Sequence, residues 1–310
     1  MMFSQQEKGN LFAFTNAVSP SNSTTVAEKN TFSCNVMAQN QMWYESPIFP
    51  TLFKRAGYDV YFWDIQRDFA TNAVFTFSVN SFLFDEEISK LSYTEVNEKT
   101  FKFDGELVQD LFSESRDKSR RNLYILHFLG QHVSAEDRFP HTKEFVKFTR
   151  NDIKSEAPFL TEAMKDEIAM YDNATYYNDW VVGEIMERFA DKNAVMVYLS
   201  DHGEEIYDYR PSKGRNANPM TSDVLKYQFE VPFVIWCSDQ YKSNHPEIIS
   251  EIRSALDKPF TTDLVSQILF RLSGIKTTYY NSENDVLSRD YVSKKRIVGD
   301  KFDFDKIRQQ

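Results

Sequence analysis

The stretch AVMVYLSDHGEE (residues 194–205) places an apolar run directly before a cluster of polar and charged side chains. An apolar run of this length is typical of a strand buried in a sheet. In an open parallel sheet, ligands bind beyond the carboxyl ends of the strands. We therefore expect a buried strand here, and we expect its end to deliver Asp201 and His202 to a binding site.

Similar short apolar runs recur along the chain and alternate with segments of helical period. The predicted strands are LFAFTNAV (11–18), DVYFWDI (59–65), NLYILHFL (122–129), VMVYLS (195–200) and VPFVIWCS (231–238). The predicted helices cover 46–57, 159–192 and 261–274, and the polar segment 208–225 is predicted to be a long loop. This alternation predicts an α/β fold, a three-layer α/β/α sandwich with a mostly parallel central sheet.

The composition excludes several classes of function. A net charge of −10 without a basic stripe argues against binding to a nucleic-acid duplex. Two cysteines, Cys34 and Cys237, are too few for a disulfide framework or a cysteine-based zinc site. The longest apolar run, 194–199, is far shorter than the roughly 18–20 residues of a membrane span. We expect the chain as given to be soluble.

Three predicted strand ends carry side chains suited to catalysis. Asp201 and His202 follow one strand, His127 and His132 flank the end of another, and Thr24 follows a third at a predicted helix start. Backbone N–H groups at a helix start can hold an anion. Aspartate and neutral histidine are ordinary zinc ligands, and a hydroxyl near such a metal can ionise and become a nucleophile. The pattern predicts a metal-dependent phosphoryl-transfer site.

Each of these residues also has a plain structural interpretation. Asp201 and His202 can simply form a turn, His127 can be a hydrogen-bonded core histidine, and Thr24 can be a helix cap. Their convergence on one sheet edge favours the metal site, because such a site requires this arrangement.

Several segments resemble one protein family. VYLSDHGEEIYD (197–208) resembles the SDHGE segment of the alkaline-phosphatase-like superfamily, in the branch of bacterial phosphoethanolamine transferases that modify lipopolysaccharide. LHFLGQHVSAEDRFP (126–140), AFTNAVSPSNSTT (13–25) and AGYDVYFWDIQ (56–66) resemble further segments of that family, in the same order. The resemblance covers almost the whole chain.

The resemblance implies a zinc-dependent transfer of phosphoethanolamine from a phospholipid to lipopolysaccharide, on lipid A or a core sugar. Thr24 would carry the group as a phosphothreonine, with Thr25 and Ser23 as alternatives in the same register, and Thr24, Asp201 and His202 would bind Zn²⁺. The residues that would line the site for the phosphate, the substrate or a second metal are Gln66, His127, His132 and Glu204. The full-length protein would be a monomer at the periplasmic face of the bacterial inner membrane.

The chain also departs from the family pattern. The family's first strand ends in a zinc-binding glutamate well upstream of the segment that resembles Leu11 onward, and N-terminal transmembrane helices precede it. We therefore expect residues 1–310 to be one catalytic domain that lacks its first strand and membrane domain, with residues 275–310 wrapping its surface. The family's usual histidine after DHGE is replaced by Lys213 and Arg215.

Two alternative functions remain open from the sequence. One is a phosphodiesterase or phosphoglycerol transferase of the same superfamily, which would use the same threonine and metal. The other is a catalytically inactive fragment, because two protein ligands and one hydroxyl make a weak zinc site without the upstream glutamate.

Overall fold

The computed structural model describes residues 1–37, 41–66, 81–113, 121–299 and 301–309. The strands are β1 (Leu11–Phe14), β2 (Ala17–Val18), β3 (Asp59–Asp64), β4 (Glu95–Val96), β5 (Asn122–His127), β6 (Val195–Leu199), β7 (Glu205–Ile206), β8 (Lys213–Gly214), β9 (Phe233–Cys237), β10 (Phe260–Thr261), β11 (Ile297–Val298) and β12 (Phe302–Asp303). The helices are α1 (Met2–Glu7), α2 (Thr24–Phe32), α3 (Phe49–Arg55), α4 (Glu86–Ser92), α5 (Asp104–Leu111), α6 (Glu162–Phe189), α7 (Ser222–Phe229), α8 (Asp239–Asn244), α9 (Pro246–Ala255), α10 (Val265–Ser273) and α11 (Phe304–Arg308). None of the helices among these residues combines the length and apolar composition needed to cross a bilayer.

The predicted strands and helices are all present, with two differences in extent. The strand predicted over 11–18 is interrupted after β1, where the Thr15 N–H donates to the Leu256 carbonyl oxygen at 2.9 Å. The loop predicted over 208–225 is shorter, because α7 begins at Ser222 and the Thr221 hydroxyl caps it by accepting from the Val224 N–H. Apolar patterning locates an element, whereas side-chain capping fixes where it starts.

The described residues divide into two compact units. The first unit contains Met1, Gly57–Ile185 and Glu205–Gly214, and the second contains Met2–Ala56, Met186–Glu204 and Arg215–Gln310. That residues 1–310 form one catalytic domain stays a prediction.

The first unit is built on a sheet in the order β4-β3-β5, and both pairs of strands are parallel. β3 is its most buried strand, since all of its residues after Asp59 are buried. Phe62 stacks on Phe84 with ring centroids 5.3 Å apart, and the Trp63 indole N–H donates to Asp110. The aromatic residues from which this strand was predicted therefore pack into the core of the first unit.

The second unit contains a sheet in the order β1-β9-β6. β9 runs antiparallel to both neighbours, with Ile235 opposite Phe12 on one side and Val197 on the other. The first unit has the parallel pairing expected of a mostly parallel sheet, whereas β9 is an antiparallel strand. Burial on both faces makes a strand apolar throughout whichever way it runs, so the sequence of β9 does not encode its direction.

The core of the second unit lies between this sheet, α9 and α10. Phe14, Phe233 and Phe260 pack edge to face, with ring centroids 5.0–5.8 Å apart. Val286 and Leu287 of the predicted tail 275–310 are fully buried in the same cluster. The tail therefore contributes to this core; its residues 300 and 310 lie outside the described part of the chain.

β6, which forms the apolar part of residues 194–205, lies at the edge of the described sheet and pairs there with β9 alone. Each of its residues is half-buried, although the apolar sequence predicted full burial. Apolar composition reflects how much a strand can bury, but it does not distinguish an edge position from a central one.

Candidate functional site

The turn after β6 is closely packed against the segment that precedes β9. The Gly203 N–H donates to the Gln228 carbonyl oxygen at 3.0 Å. A Cβ on Gly203 would lie 2.2 Å from the carbonyl oxygen of Tyr227, so only glycine fits at this approach of two backbones. This packing fixes the backbone next to His202.

α2 begins at Thr24, as the sequence predicted, with Ser23 in the N-cap position and without a side-chain capping bond. The Thr24 side chain is buried, whereas Ser23 is exposed and Thr25 is half-buried. Thr24 is therefore free of the capping role that was its plain structural interpretation, and its hydroxyl contacts His202 instead.

Thr24, Asp201 and His202 come together in the second unit. Oγ1 of Thr24 lies 3.0 Å from Nε2 of His202, and Oδ2 of Asp201 lies 3.1 Å from the same nitrogen. The buried hydroxyl of Ser19, at the end of β2, contacts the Asp201 carbonyl oxygen and so connects the segment before α2 to the turn after β6. Two loops that are far apart in sequence thus place three potential ligands around one point.

His202 is held in the form that a metal ligand requires. Its Nδ1–H donates to the Gly203 carbonyl oxygen at 2.8 Å, which leaves the lone pair on Nε2. Burial is the largest cause of a lowered pKa of His202, and the Arg215 charge lowers it further while Asp201 opposes the shift. The neutral imidazole is therefore favoured, with Nε2 facing Thr24 and Asp201.

The donor set fits a zinc ion with three protein ligands. Zinc–oxygen and zinc–nitrogen bonds in tetrahedral geometry place neighbouring donor atoms about 3.3 Å apart. The distances from His202 Nε2 to Thr24 Oγ1 and to Asp201 Oδ2 are of this size. The Asp201 carboxylate oxygen and the neutral Nε2 are both hydrogen-bond acceptors, so a cation between them would stabilise their close approach. Among the described residues there is no group of three or more His, Cys, Asp or Glu side chains suited to a metal, and the Thr24 hydroxyl would be the third donor beside Asp201 and His202.

Arg215 lies at the same site. Its NH1 is 2.6 Å from His202 Nε2 and 3.3 Å from the Asn22 carbonyl oxygen, and its Nε is 3.3 Å from Oε2 of Glu204. Glu204, which the sequence assigned to the substrate, is therefore held in an ion pair on the edge of the Thr24 site. Arg215 was noted in the sequence only as a replacement for the histidine that the family usually has in this loop.

Gln228 is a structural part of this site that the sequence analysis missed. It is fully buried at the end of α7. Its Oε1 accepts from Nδ2 of Asn22 at 2.7 Å, and its Nε2 donates to the Asn216 carbonyl oxygen at 3.2 Å. One side chain thus ties the loop before Thr24 to the loop after Arg215. Nothing in the local sequence distinguishes Gln228 from a surface residue of an amphipathic helix.

Gln66 and His127 meet in the first unit, at the ends of β3 and β5. His127 Nδ1 lies 2.9 Å from Oδ1 of Asp64, whose side chain is fully buried, and His127 Nε2 lies 3.2 Å from Nε2 of Gln66. Gln66 is buried too, and its side chain also donates to the Phe128 carbonyl oxygen. His127 is therefore oriented by a buried carboxylate, which the sequence contained as the polar residue ending the strand DVYFWD.

His132 follows β5 in the same unit, on a loop held by a second buried carboxylate. Asp104 accepts from the N–H groups of Leu129 and Gly130, each at 2.9 Å. Burial raises the pKa of Asp104 to about 6, while the two hydrogen bonds act in the opposite direction. The position of the loop that carries His132 thus depends on a carboxyl group remote in sequence. The functional roles of Gln66, His127 and His132 stay predictions.

Comparison with known proteins decides the family. The sequence model described as "Sulfatase" matches residues 3–275, which is most of the chain. The chain belongs to the sulfatase family. The predicted α/β class of alkaline-phosphatase-like enzymes is thereby confirmed, and so is the resemblance to phosphoethanolamine transferases.

This sulfatase-family chain is similar to phosphoethanolamine transferase EptC of Escherichia coli O18:K1:H7, with 26% identity over 268 residues. The alignment covers 84% of the chain and 44% of the relative, so the chain spans less than half the length of that protein. It shares the fold of the C-terminal periplasmic domain of E. coli EptC, at a TM-score of 0.81 and 22% identity over 99% of this chain and 85% of that one. A zinc complex of the same domain matches with a TM-score of 0.80 and 21% identity, over 99% and 85% of the two chains.

Proposed function

We propose that this chain is the catalytic region of a zinc-dependent phosphoethanolamine transferase. The observation that carries the proposal is the convergence of the Thr24 hydroxyl and the Asp201 carboxylate on Nε2 of His202, at 3.0 and 3.1 Å. A nucleophile beside two metal ligands is the arrangement that covalent phosphoryl transfer requires. The similarity to EptC supports phosphoethanolamine as the transferred group.

Zinc would be held by Thr24, Asp201 and His202, and when bound it would lower the pKa of the threonine hydroxyl and neutralise charge on the phosphoryl group. The zinc complex of the E. coli EptC domain supports the choice of metal. The chain's own contribution is to keep His202 neutral by burial, to leave the lone pair on Nε2 through the Nδ1–H bond to Gly203, and to hold the Thr24 hydroxyl at the start of α2.

In the first half-reaction, Oγ1 of Thr24 attacks the phosphorus of the phospholipid headgroup. The Oγ1–P bond forms, the bond from phosphorus to the diacylglycerol oxygen breaks, and that oxygen gains a proton equivalent to the one that Thr24 loses. The product is a phosphoethanolamine ester of Thr24. Burial of Thr24 limits access of water to this ester, which favours transfer over hydrolysis.

In the second half-reaction, a hydroxyl of lipopolysaccharide, on lipid A or a core sugar, attacks the same phosphorus. The new O–P bond forms, the bond to Oγ1 breaks, and Thr24 regains a proton while the acceptor hydroxyl loses one. Gln66, His127, His132 and Glu204 would bind the substrates. The reaction would take place at the periplasmic face of the bacterial inner membrane, in a monomeric protein.

A transfer assay with product masses tests this function. The zinc-loaded chain is incubated with phosphatidylethanolamine in detergent and with purified lipopolysaccharide, and the lipid A and core fragments are weighed by mass spectrometry. We expect the mass of one phosphoethanolamine group on the acceptor, with a parallel release of diacylglycerol. Release of diacylglycerol without a modified acceptor would indicate a phosphodiesterase. With phosphatidylglycerol as the donor, an acceptor heavier by one glycerophosphate group would indicate a phosphoglycerol transferase. No turnover would indicate an inactive fragment.

A further inference from the structure

Arg215 makes three contacts that all lie around the Thr24 site of the second unit. Its guanidinium reaches Nε2 of His202, the carbonyl oxygen of Asn22 two residues before Thr24, and the carboxylate of Glu204. The side chain is 28% exposed, so the guanidinium is anchored and yet open to a ligand. A fixed, accessible guanidinium next to a nucleophile is suited to bind a phosphoryl group, because its planar fork matches two phosphate oxygens.

The contact with His202 places the guanidinium where the proposed zinc ion would bind. NH1 donates to the Nε2 lone pair at 2.6 Å, which is the lone pair that zinc would take. A metal ion at His202 would displace NH1 from this nitrogen and leave the ion pair between Nε and Glu204 in place. The guanidinium would then lie beside the metal, at the N-terminal end of α2.

We propose that Arg215 is a catalytic residue that binds the non-bridging oxygens of the phosphoryl group on its way to Thr24. This inference rests on the proposed function. It adds Arg215, which is neither a proposed metal ligand nor the proposed nucleophile, to the residues that act on the substrate. The charges at the site agree with it, since a zinc ion would carry two positive charges whereas Asp201, Glu204 and a phosphodiester would carry three negative ones. Arg215 supplies a further positive charge, and Glu204 holds it by the ion pair with Nε.

The test measures ligand binding and metal binding separately, on the zinc-loaded chain and its Arg215→Ala and Arg215→Lys variants. The ligands are inorganic phosphate and O-phosphoethanolamine, titrated by calorimetry, and zinc affinity is measured by competition with a chromogenic chelator. Lys213→Ala is the matched control, because Lys213 lies two residues earlier, is half exposed and pairs with Glu167. It removes the same charge two residues away, from a side chain that pairs with Glu167.

For Arg215→Ala we expect both ligands to bind about 10- to 100-fold more weakly, since one charge-assisted bidentate contact is lost. Arg215→Lys should recover part of the loss, because it restores the charge and not the fork. Zinc affinity should stay equal or rise, since a cation that competes for Nε2 is removed, and Lys213→Ala should leave all three affinities within twofold.

Unchanged ligand affinities in Arg215→Ala, with zinc bound normally, would overturn the inference and leave the proposed function intact. A tenfold loss of zinc affinity would also overturn it, because Arg215 would then support His202 rather than the phosphoryl group. A loss confined to O-phosphoethanolamine would contradict it as well, since inorganic phosphate presents the same oxygens. A wild-type chain that binds no zinc would overturn the proposed function together with this inference.

Discussion

The hydroxyl oxygen of Thr24 lies 3.0 Å from Nε2 of His202, although 178 positions separate the two residues in the chain. The start of α2 supplies one partner and the turn after β6 supplies the other. Their separation matches that of two ligands of one zinc ion. The proposed phosphoryl-transfer activity depends on this contact.

Removal of either side-chain ligand should abolish zinc binding. His202→Ala and Asp201→Ala each leave at most two protein donors, so we expect zinc affinity to fall by at least about 100-fold, more than is usual for loss of an outer-shell partner. Competition with a chelator measures this for the folded variants. Asp208→Ala, which removes an acidic side chain from the next loop, between β7 and β8, is the control, and a similar loss there would contradict the assignment.

Gln228→Ala should disturb the site through its two loops. The variant removes the fully buried Gln228 side chain and its hydrogen bonds to the half-buried Asn22 amide and to the Asn216 carbonyl, and we expect a loss of about 1–3 kcal/mol in the free energy of unfolding together with weaker zinc binding. Gln267→Ala is the matched control, since Gln267 is equally buried and bonds to Tyr279 and Asn281. It should cost similar stability but leave zinc affinity unchanged. Equal zinc affinity in both variants would refute the role of Gln228.

Gly203→Ala should destabilise the turn after β6. The added methyl group meets a backbone carbonyl at 2.2 Å, and we expect a cost of about 1–3 kcal/mol in the free energy of unfolding by chemical denaturation. In Gly183→Ala the atoms nearest to the new Cβ belong to the Met1 side chain, which can move away. Because alanine is favoured inside a helix, that variant should be neutral or up to about 1 kcal/mol more stable. A Gly203→Ala variant as stable as the wild type would contradict the packing described here.

Asp104 should make the stability of the chain depend on pH. Burial raises its pKa from 3.8 to about 6, so between these values the folded chain keeps a proton that the unfolded chain has lost. The free energy of unfolding should therefore fall as the pH rises from about 4 to 6, by up to about 3 kcal/mol, and stay lower above that range.

Denaturant unfolding at pH 4 and pH 7 measures the effect of Asp104. Asp104→Asn removes the titrating group and should show a smaller difference between the two pH values than the wild type. Asp239→Asn changes a carboxylate that is 82% exposed and should behave like the wild type. An Asp104→Asn variant with the full pH dependence would rule out Asp104 as its source.

The sequence predicted the elements better than it predicted their arrangement. The runs at 59–65 and 231–238 are strands because their aromatic and β-branched residues are buried on both faces, but the antiparallel direction of β9 leaves no trace in such a pattern. Asp201 and His202 were singled out because they follow a strand directly, and Thr24 because it stands at a predicted helix start. Gln228 was missed because it acts through tertiary hydrogen bonds from a helix whose local pattern shows only amphipathicity.

Isolation of the covalent intermediate would identify the nucleophile itself. The zinc-loaded chain is mixed with phosphatidylethanolamine in detergent without an acceptor, digested after acid quenching, and the peptide that contains Ser23, Thr24 and Thr25 is fragmented by mass spectrometry. We predict one phosphoethanolamine group on Thr24, present in Thr25→Ala and absent in Thr24→Ala. An adduct on Thr25 or on any residue other than Thr24, or diacylglycerol release by a Thr24→Ala variant at the wild-type rate, would contradict the account.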